Sequence, residues 1–317
     1  MTSPQPRRPA APSPLVAIVG PTASGKSDLA LAIARRLPVE ILVADSRQVY
    51  RGMDVGTAKP DAAARASVPH HLLDLVEPDE AFTVAQWVAR ARELVPEIAG
   101  RGNLPMLIGG TGLYIAALVD GHVYESQPWS PELRQRLTDE LEAEGLEPLA
   151  ARLRNLDPEA AARADLRNPR RVLRALERLE GGGPMPTMKP YAGRLALIGI
   201  SRPREVLYQR IDERARQMFE GGGLLEEVTR LLEAGCGPDL HPMTGHGYGE
   251  AARHLAEEWS LEQAIAVTAK RTRQYAKRQL TWFRPDTRIL WVPAGELGAN
   301  VPELVARVEG LVRAALT

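Results

Sequence analysis

The stretch GPTASGKS, Gly20 to Ser27, matches G-x-x-x-x-G-K-[ST] in full and lies between the apolar run LVAIVG and the helix-period text DLALAIARRL. A loop of this type holds phosphate through its backbone. Gly20 and Gly25 let the chain curl so that successive N–H groups converge on phosphate oxygens. The helix that follows turns its positive end toward the same anion. Lys26 adds an ammonium, and Ser27 offers a hydroxyl to Mg²⁺. Gly20, Pro21, Thr22, Ala23, Ser24, Gly25, Lys26 and Ser27 are therefore the expected phosphate site. The loop does not say which phosphate compound it holds. Most such loops serve ATP or GTP, which makes a kinase or NTPase the default.

Two further stretches place chemistry at strand ends. In EILVADSRQVYRGMDVGTAKP, Asp45, Ser46, Arg47 and Gln48 follow an apolar run. Ligand sites of open α/β sheets gather at that edge. An Asp there, near the loop's Lys and a metal, serves as metal ligand or as general base, and a neighbouring Gln or Arg can read a base edge. The plain alternative is a solvated turn. In LIGGTGLY, three glycines around Thr111 permit close backbone approach and leave the hydroxyl at the sheet edge; the alternative is an ordinary tight turn.

Basic segments point to an anionic partner. From 270 to 284 the chain carries Lys270, Arg271, Arg273, Lys277, Arg278 and Arg284 and no acid. On a helix Lys270, Gln274, Lys277 and Arg278 share one face, with Leu280, Trp282 and Phe283 on the apolar side. Phosphate-backbone contact is one reading and a solvated face the other. NPRRVLRALERLE repeats the theme with Arg170, Arg174 and Arg178 at helical spacing. His70 and His71 are adjacent and lack a carboxylate at ligand spacing, so a hydrogen-bonding role is expected rather than a metal.

The elements that must position these residues are legible. LVAIVG (15–20), EILVADS (40–46), LPMLIGG (104–110), LALIGI (195–200) and ILWV (289–292) are apolar on both faces, as strands of a covered parallel sheet are. An α/β fold follows: a P-loop-type parallel sheet flanked by helices. Residues 121–194 contain no such run. Their text reads as helices, with Ser130-Pro131 and Asn168-Pro169 as start signals, and predicts a helical insertion between core segments 15–120 and 195–317. The Gly/Pro-rich 181–193 reads as its linker, and residues 1–14 as a disordered Pro-rich tail rather than a signal peptide.

Composition bounds the rest. The 317 residues are 44% hydrophobic and 25% charged, with formal net charge zero. No apolar run long enough for a membrane span occurs. The single Cys236 forbids an internal disulfide and suits a reducing cytoplasm. Zero net charge leaves nucleic-acid binding open, because local stripes bind phosphates and global sums do not. Only five lysines stand against thirty-five arginines. Four of them, Lys26, Lys59, Lys270 and Lys277, fall in the segments singled out above.

Taken together and in this order, the phosphate loop, DSRQVYRGMDVGTAKP, HHLLD, IGGTGLY, NPRRVLRALE and TRQYAKRQLTWFR resemble the tRNA dimethylallyltransferase family from about Pro14 to Arg284. The resemblance implies that the loop cradles the diphosphate of dimethylallyl diphosphate with Mg²⁺. It implies transfer of the prenyl group to N6 of adenosine-37 of tRNA. Lys26, Asp45 and Thr111 would be catalytic, Asp45 as general base and Thr111 near both the diphosphate and the base. Arg210 or Arg214 in LYQRIDERARQMF would add phosphate contacts. Ser46, Arg47 and Gln48 would hold the flipped adenine. The insertion would clasp the anticodon stem-loop through Arg170, Arg171, Val172, Leu173 and Arg174, and Lys270, Arg273 and Lys277 would add tRNA contacts. In PMTGHGYGE the sequence departs from the family's usual basic and aliphatic residues, so His246 would stand in there with fewer charges. A cytoplasmic monomer is the simplest expectation. The alternatives are a small-molecule kinase using ATP, which needs no basic helix at 268–284, and an adenylate prenyltransferase, which needs no insertion. A third, a non-catalytic RNA-binding module with a vestigial loop, sits badly with an intact Gly20, Gly25, Lys26, Ser27 and Asp45.

Overall fold

Branched apolar residues on both faces of short runs pair into one parallel sheet of order β3-β2-β4-β1-β5-β6, seen in a computed structural model that describes residues 12–121, 130–182, 189–295 and 302–316. The strands are β1 (Leu15–Val19), β2 (Val39–Ala44), β3 (His70–His71), β4 (Leu104–Gly109), β5 (Leu195–Ser201) and β6 (Ile289–Pro293). Each of the five predicted runs forms a strand. The sixth, β3, escaped notice because two polar residues carry no periodicity; it pairs at the edge, Ile41 with His70 and Leu42 with His71.

Helices α1 (Lys26–Ala34), α2 (Ala62–Ser67), α3 (Val84–Gly100) and α4 (Gly112–Val119) follow the first strands. Helices α5 (Pro131–Glu144), α6 (Leu146–Leu156), α7 (Pro158–Arg163) and α8 (Pro169–Glu180) come next. The core resumes with α9 (Arg204–Glu220), α10 (Leu224–Glu233), α11 (Tyr248–Leu255), α12 (Leu261–Phe283) and α13 (Pro302–Leu316). One face of the sheet packs Val16, Ile18, Val43, Ile108 and Ile198 against Leu29 and Ile33 of α1 and Val308 of α13. On α3 the wholly buried Trp87 donates its indole N–H to the Val43 carbonyl at 3.2 Å and packs on Tyr114 of α4.

Register sets the site. Gly109 is paired with both Val19 and Ala44, so the carboxyl ends of β1, β4 and β2 finish level. The residues that come next, Gly20, Gly110 and Asp45, therefore emerge side by side at strand spacing, about 4.8 Å apart per strand.

Residues Gly121–Lys189 form a separate compact unit. Ser130 and Asn168 cap α5 and α8 by accepting from the Leu133 and Arg170 amides, each with Pro in the first turn. The unit has its own core, including Leu137, Leu149, Leu153, Val172, Leu173 and Leu176. Val172 and Leu173 are 0% and 8% exposed: α8 turns their side chains into this core, apart from the exposed Arg170, Arg171 and Arg174 with which sequence reasoning groups them. Pro190–Arg194 belongs with the sheet unit rather than with the insertion. There Tyr191 donates its hydroxyl to the Ser13 carbonyl at 2.5 Å, and Arg194 accepts from the Leu15 amide at 2.9 Å. Most of the expected tail (1–11) and much of the expected linker (183–188) lie outside the described residues. Among the described residues no helix is long and apolar enough to cross a membrane.

Candidate active site

The phosphate loop leaves β1 at Gly20, whose φ of 143° and whose approach to the Ile200 carbonyl, where a Cβ would come within 2.6 Å, admit only glycine. Three arginines brace the loop. Arg202 donates to the Ser24 carbonyl at 2.8 Å, Arg210 to the Ala23 carbonyl at 3.0 Å, and Arg214 to the Thr22 hydroxyl at 2.7 Å. Lys26 folds onto the Pro21 carbonyl at 2.7 Å. Burial, and after it the Arg214 charge, lower its pKa to about 7 against the opposing pull of Asp45. The loop thus carries a desolvated ammonium ringed by guanidiniums, an arrangement that an anion relieves. Ser27 is exposed on the same cleft.

Asp45 sits directly after β2. Its Oδ1 accepts the Arg47 N–H at 2.9 Å, a local turn that reverses the chain. The Ser46 N–H donates to Thr111 Oγ1 at 3.2 Å, and the Thr111 N–H to the Ala44 carbonyl at 3.3 Å. The β2–β4 pairing therefore brings Asp45, Ser46 and Thr111 together. Tyr275 of α12 is hydrogen-bonded to Thr111 and Gln279, and burial together with Asp45 pushes its phenol up to about 12, so it stays protonated.

The inward polar face of helix α12 is the part that sequence reasoning missed. Gln279 accepts the Thr22 N–H at 2.8 Å and donates to the Gly110 carbonyl at 2.9 Å, clamping the phosphate loop to the β4 turn. The close approach allowed by the glycines is made by this helix: a Cβ on Gly110 would come within 2.1 Å of Gln279 Nε2, and one on Gly112 within 2.2 Å of Trp282. Thr268, Thr272, Tyr275 and Gln279 recur at helical spacing opposite the charged face, and all but Tyr275 are buried. Polar residues at core positions were the available signal. Arg202 was missed as well, although it stands just past the carboxyl end of β5, on the ligand edge.

Two adjoining cavities meet at Thr22, Asp45, Thr57, Arg214 and Tyr275. The first, about 440 Å³, is bordered by Lys26, Ser27, Arg210 and an apolar floor of Ile41, Val43 and Ile108. The second, about 260 Å³, is bordered by Ser46, Arg47, Thr244, His246 and Arg278. His246 packs on Tyr275 with ring centroids 5.3 Å apart, and burial, with help from Arg271, lowers its pKa to about 4, leaving a neutral imidazole near pH 7.

Several expected residues are placed differently. Gln48 borders the first cavity, not the second, and donates to the Thr57 carbonyl at 2.9 Å. Arg47 does reach the second cavity, yet its guanidinium holds the His241 carbonyl and Thr244 Oγ1. Arg273, outside the face shared by Lys270, Gln274, Lys277 and Arg278, pairs with Asp212 and lies over the Tyr208 ring. Lys270, Gln274, Lys277 and Arg278 remain exposed together, as do Arg170, Arg171 and Arg174 on α8. Trp282 is 49% exposed instead of joining the apolar side. Lys59 is structural: its wholly buried ammonium meets the Tyr50 carbonyl, Asp54 and Asp74, one partner for each N–H. His71 bonds Glu40 at 2.6 Å and His70 the Val68 carbonyl at 2.9 Å. No group of three potential metal ligands from His, Cys, Asp and Glu occurs among the described residues.

The chain is similar to known proteins over most of its length. The IPP transferase family profile matches residues 48–286, and the isopentenyl transferase profile residues 13–74. The tRNA dimethylallyltransferase of Anaeromyxobacter dehalogenans is 48% identical over 284 residues, 88% of this chain and 94% of that one. That of Heliobacterium modesticaldum is 45% identical over 87% of this chain and 88% of its own. Among solved structures, the tRNA isopentenylpyrophosphate transferase of Bacillus halodurans is similar with a TM-score of 0.72 at 38% identity, covering 96% of this chain and 97% of that one. A eukaryotic dimethylallyltransferase described as acting on tRNA is similar with a TM-score of 0.75 at 26% identity, over 89% and 74% of the two chains.

Proposed function

The chain belongs to the tRNA dimethylallyltransferase family and is a prenyltransferase of tRNA modification; we propose that it moves the dimethylallyl group of dimethylallyl diphosphate to N6 of adenosine-37, releasing diphosphate. The observation that carries this reading is Asp45 at the junction of two cavities of unlike chemistry. One offers cations above an apolar floor, which suits a diphosphate with a short hydrocarbon tail. The other sets a neutral imidazole and a tyrosine face beside the guanidiniums of Arg47 and Arg278, which suits a base with its phosphate backbone close by.

The residues then divide the work. The loop amides, Lys26, Arg210 and Arg214 hold the diphosphate and stabilise the negative charge that grows on it as the allylic C–O bond breaks. The N6 lone pair forms the new C–N bond, and Asp45 accepts the proton that N6 sheds. Thr111, fixed by the Ser46 N–H and Tyr275, stands beside both. Ser27, with Asp28 and Asp45 on the same cleft, offers oxygen donors that would hold a Mg²⁺ ion. Bound there, the ion would offset leaving-group charge. The basic stripe of α12 and Arg170, Arg171 and Arg174 supply phosphate contacts to the anticodon stem-loop. One chain carries both cavities, so a monomer suffices, working in the cytoplasm where tRNA is its substrate.

The test follows labelled prenyl from dimethylallyl diphosphate with Mg²⁺ into unmodified tRNA, tRNA with guanosine at position 37, and free AMP, with ATP consumption measured alongside. Label in adenosine-37 tRNA alone, without ATP loss, is expected. Label in AMP points to a nucleotide prenyltransferase, and ATP loss without transfer to a kinase.

A further inference from the structure

A buried carboxylate outside both cavities ties together two segments that line the second one. Glu227 on α10 is 1% exposed and borders neither cavity. Its Oε2 accepts the N–H groups of Asp54 and Val55, each at 2.8 Å. Its Oε1 accepts the Gly56 N–H at 3.2 Å and the Tyr248 hydroxyl at 2.7 Å. Four donors thus occupy both oxygens of one desolvated carboxylate, a demanding arrangement to satisfy and a costly one to break.

The four donors come from two separate segments, each of which contributes to the lining of the second cavity. Gly56, with Thr57 beside it, borders the second cavity from the turn after β2. Tyr248 opens α11 and borders the same cavity, two residues from His246. The two segments also touch, since a Cβ on Gly56 would come within 2.4 Å of the Tyr248 ring. Burial and the Glu227 charge drive the Tyr248 phenol far above its usual range, so its proton stays in the bridge. On the first-cavity side the same turn is held independently, by Lys59 on Asp54, Asp74 and the Tyr50 carbonyl.

We propose that Glu227, acting through Tyr248 and the Gly56 turn, is a positioning residue that sets the width of the second cavity for the tRNA base from outside it. The inference rests on the reading that this cavity receives the base.

The variants Glu227→Gln, Tyr248→Phe and Gly56→Ala test it. The Gln amide sets its N–H₂ against N–H donors, Phe removes only the bridging hydroxyl, and Ala presses the turn against the Tyr248 ring from a backbone conformation that tolerates it. KM for tRNA is expected to rise about tenfold in Glu227→Gln and in the same direction in the other two. Calorimetric affinity for a non-reactive thiodiphosphate analogue of the prenyl donor, measured without tRNA, is expected to hold within about twofold. Tyr248→Phe is expected to add little on top of Glu227→Gln, since both cut one bridge. A parallel loss of both affinities, or an unchanged KM for tRNA in folded variants, overturns this role. If Glu227→Gln does not fold, Gly56→Ala and Tyr248→Phe decide. A wild-type enzyme that places no label in tRNA sinks the reading of the cavity instead, which keeps the two failures apart.

Discussion

At the scale of single residues, Asp45 and Lys26 make claims that separate binding from chemistry. Asp45 is proposed to take a proton, so Asp45→Asn is expected to lower the single-turnover rate by about 10² to 10⁴-fold while tRNA affinity changes little. A large affinity loss with intact single-turnover chemistry would reassign it. Lys26 differs because its own charge is in play. Free, it is half protonated near pH 7. A bound diphosphate stabilises the charged form and raises its pKa, so binding above pH 7 draws a proton from solution and affinity falls as pH rises. Calorimetry of the donor analogue at pH 8, in buffers of different ionisation enthalpy, is expected to register that uptake and to lose it in Lys26→Met. Lys26→Arg is not expected to restore function, because a planar guanidinium does not replace a compact ammonium at this depth.

At the scale of elements, α12 is the strut of the site. One amide side chain, Gln279, holds the β1–α1 loop to the β4–α4 turn. Gln279→Leu keeps the bulk and strands the Thr22 N–H and the Gly110 carbonyl, each at a cost of about 1–3 kcal/mol. Gly110→Ala reaches the same end from the other side by pushing Gln279 away. Both are expected to lower the melting temperature and weaken donor binding alike, read by thermal denaturation and calorimetry. If Gly110→Ala is silent, the clamp is not what holds the turn. The same helix shows why Trp282 broke with expectation and why Arg273 is engaged within the protein. A helical wheel assigns faces, but which face is buried depends on what packs there, and Asp212 of α9 claims Arg273.

At the scale of the whole molecule, a chain of zero net charge presents locally basic surfaces in each of its two units. Sequence-independent phosphate contact should show itself in salt dependence. Replacing Arg170 and Arg171 together by Ala is expected to weaken tRNA binding and to flatten the slope of log K against log salt by about 0.7 to 0.9 per lost contact. Donor-analogue affinity should be untouched. An unchanged slope would return those arginines to the role of a solvated helix face.

The phosphate loop, five of the six strands and the capped starts of α5 and α8 are legible in the amino-acid sequence alone. Each is written in a short window: the spacing of glycines and a lysine, an apolar run, a cap followed by proline. The resemblance to a family added roles for Asp45, Thr111 and the loop. Only the tertiary structure decided which distant residues meet. The pairing of Ala44 with Gly109 puts Asp45 beside Thr111, and the path of α12 sends Gln279 between two loops. It also turned Val172 and Leu173 inward, took Gln48 away from the second cavity, and gave Glu227 a place with no sequence mark at all. Local propensity is encoded residue by residue, whereas a buried polar group takes whichever partners the packing of remote elements leaves within hydrogen-bond reach.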